Sequence, residues 1–227
     1  MNTYGKFYTE SLYPIQDGVI RVMRDIHTPF YLTGGTALSR GCFNHRFSDD
    51  LDFFVNDNPD FERLVGHSIE ALSEQYRVTS EVEAHDYFQI HVHVDAVSLK
   101  IDLVNDIAVH DGEILEHPEM GRIDNIVNML SNKISALYRY EGKDVADILE
   151  ISRNLDYNWN DMISRARKKE AGVEPSIISE IIKNIPDREL QNIKWISEPD
   201  YAAMREDLER IAMDILEGGP NRCVKRE

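Results

Sequence analysis

The spacing of apolar residues predicts alternating helices and strands in the first half of the chain. Apolar positions between 12 and 26 recur every three or four residues, which is typical of an amphipathic helix over 10–27. An apolar run at 30–32 stops at two glycines and predicts a short strand, and residues 36–43 are compatible with a helix. Residues 61–72 again show the helical spacing, so helices should flank the first strands.

Other stretches alternate apolar and polar residues, as strands with one buried face do. Residues 50–55 read DLDFFV, residues 76–82 form a second candidate strand, and residues 87–104 contain two alternating arms that predict a hairpin. Side chains two apart on a strand project from the same face, so Asp50 and Asp52 should project together. By the same rule, Asp102 should lie on the open face of the second arm of the hairpin.

The second half of the chain has a different pattern. After a turn-rich segment at 107–121, the apolar spacing is helical at 123–138, 142–148, 159–169, 175–185 and 199–216. The fold class predicted is therefore mixed α/β (α+β), with a small mixed sheet over residues 1–118. A helical domain should follow over residues 119–227.

The glycine pair and the acid pair together predict a site for phosphate and metal. Gly34 and Gly35 follow a strand, where glycine allows a ligand close to the backbone, and the next helix offers N–H groups from its first turn, which includes Thr36. Asp50 and Asp52 would repel one another unless a cation lay between them, and a hard divalent ion prefers such oxygen ligands. The simpler interpretation is a surface turn followed by a strand with solvated acids.

These two segments also carry a family resemblance. The sequences GGTAL and HRFSDDLDFF resemble the AbiEii-type toxin branch of the DNA-polymerase-β-like nucleotidyltransferases. The residues that match the family pattern are Gly34, Gly35, Thr36, Arg46, Ser48, Asp50 and Asp52. The resemblance implies an NTP substrate, a magnesium or manganese cofactor and a third metal-binding carboxylate, for which Asp102 is the candidate. Arg46 could contact a phosphate or brace the turn.

The resemblance extends to two further elements in the helical half. Lys133 lies at the margin of an apolar stripe, where a lysine usually extends to solvent, but the family pattern N-K-x-x-A-L implies that it neutralises the triphosphate. Asp144 and Asp147 resemble the K/R-D-x-x-D element of the family, which implies an active-site role without telling which acid takes it. The dipole of a nearby helix start is the other reason for acids there.

Composition limits the classes of function. Among 227 residues, 42% are apolar and 29% charged, which is typical of a folded domain, and the net charge is −16. Such a charge argues against broad, non-specific nucleic-acid binding but not against a nucleic acid held locally. No stretch resembles a signal peptide or a membrane span, so we expect a cytoplasmic protein without membrane association. Cys42 and Cys223 should be free thiols.

The sequence therefore predicts a metal-dependent nucleotidyltransferase that moves a nucleoside monophosphate from an NTP to an acceptor hydroxyl. Resemblance to the toxin branch implies an RNA acceptor, tRNA in particular, an antitoxin partner and a role in phage defence. A basic patch at 165–169 is the candidate for RNA contact. One alternative is a small-molecule acceptor such as an aminoglycoside, which the acidic charge suits, and another is a nucleotide-binding regulatory module without catalysis.

His91 and His93 should lie on the same face of a strand. They could bind zinc there or remain solvated side chains.

Overall fold

The computed structural model describes residues 3–224, and the chain divides into two compact units, residues 1–125 and residues 126–227. Every described strand belongs to the first unit, and the second unit is built from helices. The mixed α/β class predicted from the sequence is confirmed. The domain boundary predicted at residue 118 stays a prediction, and the first compact unit extends seven residues further.

One mixed sheet forms the centre of the first unit. The strands span β1 (Tyr31–Thr33), β2 (Leu51–Asn56), β3 (Arg77–Ala84), β4 (Tyr87–Val94), β5 (Val97–Asp106), β6 (Leu115–His117) and β7 (Gly121–Ile123). Their order in the sheet is β3-β4-β5-β2-β1-β7-β6. Strand β2 runs parallel to β5 and β1 runs parallel to β7, whereas the other neighbours are antiparallel.

The alternating residues place one face of the central strands in the core, as predicted. On β2 the residues with apolar side chains facing inward are fully or almost fully buried, and Asp52 between them is only half-buried. On β5, Leu99, Ile101 and Leu103 are fully buried, while Lys100 and Asp102 remain partly exposed. Burying these apolar side chains drives the sheet against its helices and turns the polar side chains to the other face.

The helices of the first unit pack their apolar stripes under this sheet. Helix α1 (Thr3–Phe7) continues through a π-helical turn (Tyr8–Leu12) into α2 (Tyr13–Asp25), so the helix predicted over 10–27 begins earlier than expected. Helix α3 (Gly34–Leu38) continues into another π-helical turn (Ser39–Phe43), and α4 (Phe61–Ser73) follows β2. Helix α2 buries Val19, Ile20 and Met23, in agreement with its predicted apolar face.

The segment at 107–121 differs from the sequence expectation. We predicted only turns there and a helix beginning at Ile123, but β6 and β7 form within and just after this segment. Ile123 lies in β7 opposite Leu32 of β1, and it is buried. Strands of three residues are too short to show a period of two, so they are identified only by pairing, β7 with β1 and β6 with β7.

The second unit contains α5 (Ile126–Ala136), a 3-10 turn (Leu137–Arg139), α6 (Gly142–Asn154), α7 (Trp159–Lys169), α8 (Pro175–Asn184), α9 (Asp187–Gln191) and α10 (Tyr201–Glu217). Side-chain caps define two of the helix starts, because Asn158 accepts from the N–H of Asn160 and Asp200 accepts from the first turn of α10. Trp159, Ile178 and Ile211 are fully buried in the core of this unit. Within residues 3–224, no helix has the length and apolar character needed to span a membrane.

Candidate active site

The glycine pair forms a tight turn between β1 and α3, directly against the carboxylate of Asp52. Gly34 has a φ of +69°, and a Cβ at this position would lie 2.2 Å from Oδ2 of Asp52. A Cβ on Gly35 would lie 2.6 Å from Nη2 of Arg46 and 3.0 Å from Oγ of Ser48. Gly34 therefore needs glycine for its backbone conformation, and at both positions the side chains of the following loop and strand occupy the space that a Cβ would take.

The three predicted acids lie close together on two neighbouring strands of the sheet. Asp52 of β2 lies directly opposite Asp102 of the parallel strand β5. Asp50 immediately precedes β2, and its carboxylate lies 3.2 Å from the ammonium of Lys100. The same ammonium lies 3.0 Å from Asp102, so one cation bridges Asp50 and Asp102.

Lys100 and Tyr87 surround the carboxylate of Asp102 with donors. The Tyr87 hydroxyl donates to Oδ1 over 3.0 Å and Lys100 donates to Oδ2 over 3.0 Å. Burial opposes the charge on Lys100, but the hydrogen bond to Asp102 and the charge of Asp50 raise its pKa above the usual value. Burial and the contact with Asp102 raise the pKa of Tyr87 to about 12, so this hydroxyl stays protonated at neutral pH.

The loop before β2 is supported by residues that no sequence motif singled out. Gln16 of α2 is fully buried, and its amide donates to the backbone carbonyls of Ser48 and Asp49 over 3.1 Å each. The buried Tyr8 donates to the carboxylate of Asp49 and stacks on Phe47 at 4.3 Å. A glutamine inside the apolar stripe of a helix was the available signal, because a buried amide needs hydrogen-bond partners.

The polar residues of the GGT and R-x-S segments hold this turn together. The buried hydroxyl of Thr36 donates to the backbone carbonyl of Asp50, which ties α3 to the start of β2. Arg46 is buried, donates to the carbonyl of Phe47 over 3.1 Å and packs over Gly35. These contacts are those of a side chain that braces the turn. Phosphate binding by Thr36, Arg46 and Ser48 stays a prediction.

The donor set of the three carboxylates fits a hard divalent cation. Asp50, Asp52 and Asp102 offer oxygen ligands only, which magnesium and manganese prefer. The ammonium of Lys100 between Asp50 and Asp102 shows that a cation is accommodated among them. In the described part of the chain, no group of three or more His, Cys, Asp or Glu side chains forms a ready metal centre.

His91 and His93 lie further along the same sheet and contact neighbouring strands. His91 is 2.6 Å from Oε2 of Glu81 and 3.0 Å from Oγ of Ser98, and His93 is 2.9 Å from Oγ1 of Thr79. Their rings lie 6.2 Å apart. These hydrogen bonds link β3, β4 and β5, and among residues 3–224 the two histidines belong to no metal-binding group.

In the second unit, Lys133 forms a buried ionic cluster with both acids of the K-D-x-x-D element. Its ammonium lies 2.8 Å from Asp144 and 2.7 Å from Asp147. Both carboxylates are fully buried, and the side chain of Lys133 is only 10% exposed. Arg139 contacts the other oxygen of Asp144 at 2.8 Å. The resemblance singled out these three residues without predicting this contact, and their role towards a triphosphate stays a prediction.

The predicted basic patch is partly engaged within the second unit. Lys169 donates to side-chain oxygens of Asn128, Ser131 and Asn132 on α5. Arg167 donates to the carbonyl of Val173 over 2.8 Å and contacts Glu174 at 3.0 Å. These two cations connect α7 to its neighbours, so they contribute less to an RNA-binding surface than their sequence positions suggest.

Comparison with known proteins adds a family and a fold. The family model described as "Nucleotidyl transferase AbiEii toxin, Type IV TA system" matches residues 21–221. A candidate nucleotidyltransferase of H. pylori is 19% identical, with 92% of this chain and 96% of that chain covered and a TM-score of 0.59. MenT4, a nucleotidyltransferase toxin of Mycobacterium tuberculosis H37Rv, is 12% identical, with 91% and 83% covered and a TM-score of 0.66. No curated protein sequence matches the chain.

We expect Gly34→Ala to lower the free energy of unfolding. The left-handed backbone alone costs an alanine about 1–2 kcal/mol, and its Cβ would displace the carboxylate of Asp52. Gly66→Ala is the matched control, because Gly66 lies inside α4 with nothing within 4 Å of a Cβ. Urea unfolding of the full chain measures both, and equal stability of the two variants would contradict the close approach at Gly34.

We also expect Lys133→Met to destabilise the chain by about 3–5 kcal/mol, because two buried carboxylates would lose their shared cation. The control is Lys143→Met, since Lys143 is 53% exposed and pairs with Glu141 at the surface. Its loss should cost less than about 1 kcal/mol. Similar urea midpoints for the two variants would show that the buried cluster does not contribute as proposed.

Proposed function

Because the chain belongs to the AbiEii nucleotidyltransferase toxin family, we propose that it is a metal-dependent enzyme that transfers a nucleoside monophosphate from an NTP to a hydroxyl group of RNA, tRNA in particular. Family membership makes the chain a nucleotidyltransferase and confirms the resemblance read from the sequence. The metal, the acceptor and an antitoxin partner belong to the proposal.

A single observation carries the assignment of the site. Asp52 lies opposite Asp102 on a neighbouring parallel strand, and its carboxylate lies against Gly34 at the start of α3. The acids suited to a divalent cation and the turn suited to a triphosphate are therefore adjacent. Phosphoryl transfer depends mainly on positioning and on neutralising charge, so this adjacency supports the proposed chemistry.

Each part of the site has a role in this proposal. The first-turn N–H groups at Gly34, Gly35 and Thr36 would bind the triphosphate, since N–H groups at the start of a helix have no partner within it. The acceptor oxygen would form a bond to the α-phosphorus as the bond from that phosphorus to the bridging oxygen breaks, which releases pyrophosphate. The hydroxyl proton would pass to Asp102, whose carboxylate accepts a hydrogen bond from Tyr87.

Asp50, Asp52 and Asp102 would hold the divalent cation. When bound, magnesium or manganese would neutralise the charge that develops on the phosphates. The triphosphate-neutralising role that the family pattern implies for Lys133 also belongs to the proposal, and Asp144 and Asp147 hold its ammonium in place. Arg46 and Ser48 would maintain the turn that holds the nucleotide, and Arg46 is the one of the two that could also reach a phosphate.

The family description supports the proposed acceptor and partner. The family description names a type IV toxin–antitoxin system, and an NTP with a nucleic-acid acceptor is consistent with that class. A net charge of −16 favours an acceptor held at a local site over one bound along an extended surface. An antitoxin would prevent the growth arrest that modification of tRNA causes.

We expect Asp52→Asn to lower transfer activity by about 100-fold or more, because it removes a carboxylate from the site where phosphate charge is neutralised. Its stability should be unchanged or higher, since one of three neighbouring negative charges is lost. Asp25→Asn, at an exposed position on α2, is the control. Pyrophosphate release and a melting curve measure the two effects, and full activity of Asp52→Asn would refute the assignment.

The acceptor is tested by supplying each of the four NTPs with magnesium, with and without total tRNA. We expect pyrophosphate release that depends on tRNA, together with RNA that is heavier by added nucleotides in a mass spectrum. Release that instead depends on an aminoglycoside, with the mass increase on the drug, would replace RNA by a small-molecule acceptor. The Asp52→Asn variant should abolish release in either case.

A further inference from the structure

Lys100 occupies a position that its sequence pattern did not reveal. It lies on β5 two residues before Asp102, so both side chains project from the same face of the strand. Its ammonium lies 3.2 Å from Asp50 and 3.0 Å from Asp102. Asp52 lies across from Asp102 on β2, so the lysine bridges two of the three acids and the third lies opposite one of them.

This arrangement satisfies the carboxylates with a cation that belongs to the chain. The side chain of Lys100 is 31% exposed, so a flexible four-carbon stem gives its ammonium access to solvent. The side chain of Asp102 is only 13% exposed, which favours a permanent counter-ion close to it. A divalent ion bound to the same oxygens would lie close to the ammonium, and the two positive charges would repel one another.

We propose that Lys100 is a built-in counter-ion that competes with the divalent cation for Asp50 and Asp102 and thereby sets the metal affinity of the enzyme. The inference rests on the proposed function, because it concerns the cation assigned to these acids. In the absence of metal, Lys100 neutralises the carboxylates. Metal binding requires its ammonium to leave them, so the free enzyme binds the ion more weakly than three acids alone would.

An ordinary strand salt bridge is the competing explanation, and it makes a different prediction. If Lys100 only stabilised β5, its replacement would lower the melting temperature and leave the affinity for metal unchanged. A competing counter-ion, once removed, must make metal binding tighter. Metal affinity without nucleotide therefore separates the two roles independently of catalysis.

The test titrates Mn²⁺ into the full chain without nucleotide and follows free Mn²⁺ by electron paramagnetic resonance. We expect Lys100→Gln to lower the dissociation constant for Mn²⁺ by about tenfold or more, and Lys100→Arg, which keeps the positive charge, to stay near the wild type. Lys6→Gln removes an exposed lysine that pairs with Glu10 and serves as the charge control. Each protein is also measured with Asp52→Asn added, and the Mn²⁺ binding that this substitution removes is the binding at the proposed site.

A second measurement protects the test from a change in folding. If Lys100→Gln lowers the melting temperature of the metal-free chain, Mn²⁺ should raise that temperature by more than it does in the wild type. If Lys100→Gln binds Mn²⁺ no more tightly than the wild type, and Asp52→Asn still weakens that binding, the proposed competition is wrong. The assignment of the metal to the three acids would then stand. No Mn²⁺ binding sensitive to Asp52→Asn in any variant would overturn both the competition and the proposed metal site.

Discussion

Repulsion among carboxylates is the constraint on which the site of the first unit depends. The parallel pairing of β2 with β5 sets Asp52 opposite Asp102, and Asp50 immediately precedes β2. Three neighbouring negative charges would destabilise the strands unless positive charge or donors compensated them. Lys100 supplies that charge within the site, and Tyr87 adds a donor. The carboxylates that need this compensation are the oxygen ligands that suit a divalent cation.

A second constraint is the close approach of the backbone at the glycine turn. Gly34 brings its main chain against the carboxylate of Asp52, so the start of α3 lies beside the acidic residues of the sheet. Such an approach requires the loop before β2 to be held firmly, because a small shift would separate the two parts. Gln16 and Tyr8 provide that support from the N-terminal helices. The precision of the site thus depends on residues that touch neither phosphate nor metal in the proposal.

The second unit buries an ionic cluster that apolar packing does not require. Lys133, Asp144 and Asp147 form a buried ionic cluster, and Arg139 adds a second cation to Asp144. Replacing such a cluster by apolar side chains is often neutral or stabilising, so its presence is weak evidence for a stabilising role. Local rules of folding are broken most often at functional sites, which accords with the role proposed for Lys133. The cluster also fixes the ammonium, which a flexible lysine at the surface would not achieve.

The sequence by itself determined the strands and helices with long periodic patterns, the mixed α/β class and the residues of the glycine and acid motifs. These features depend on spacing along the chain, and alternation on β5 alone placed Asp102 on the polar face. Tertiary structure decided what spacing cannot encode. Strand β7 is defined by its pairing with β1 and β6. The position of Lys100 between Asp50 and Asp102 requires β5 beside β2, and the supporting contacts of Gln16 span more than thirty residues of chain. Contacts between distant segments depend on three-dimensional packing, and a single sequence contains no local pattern that specifies them.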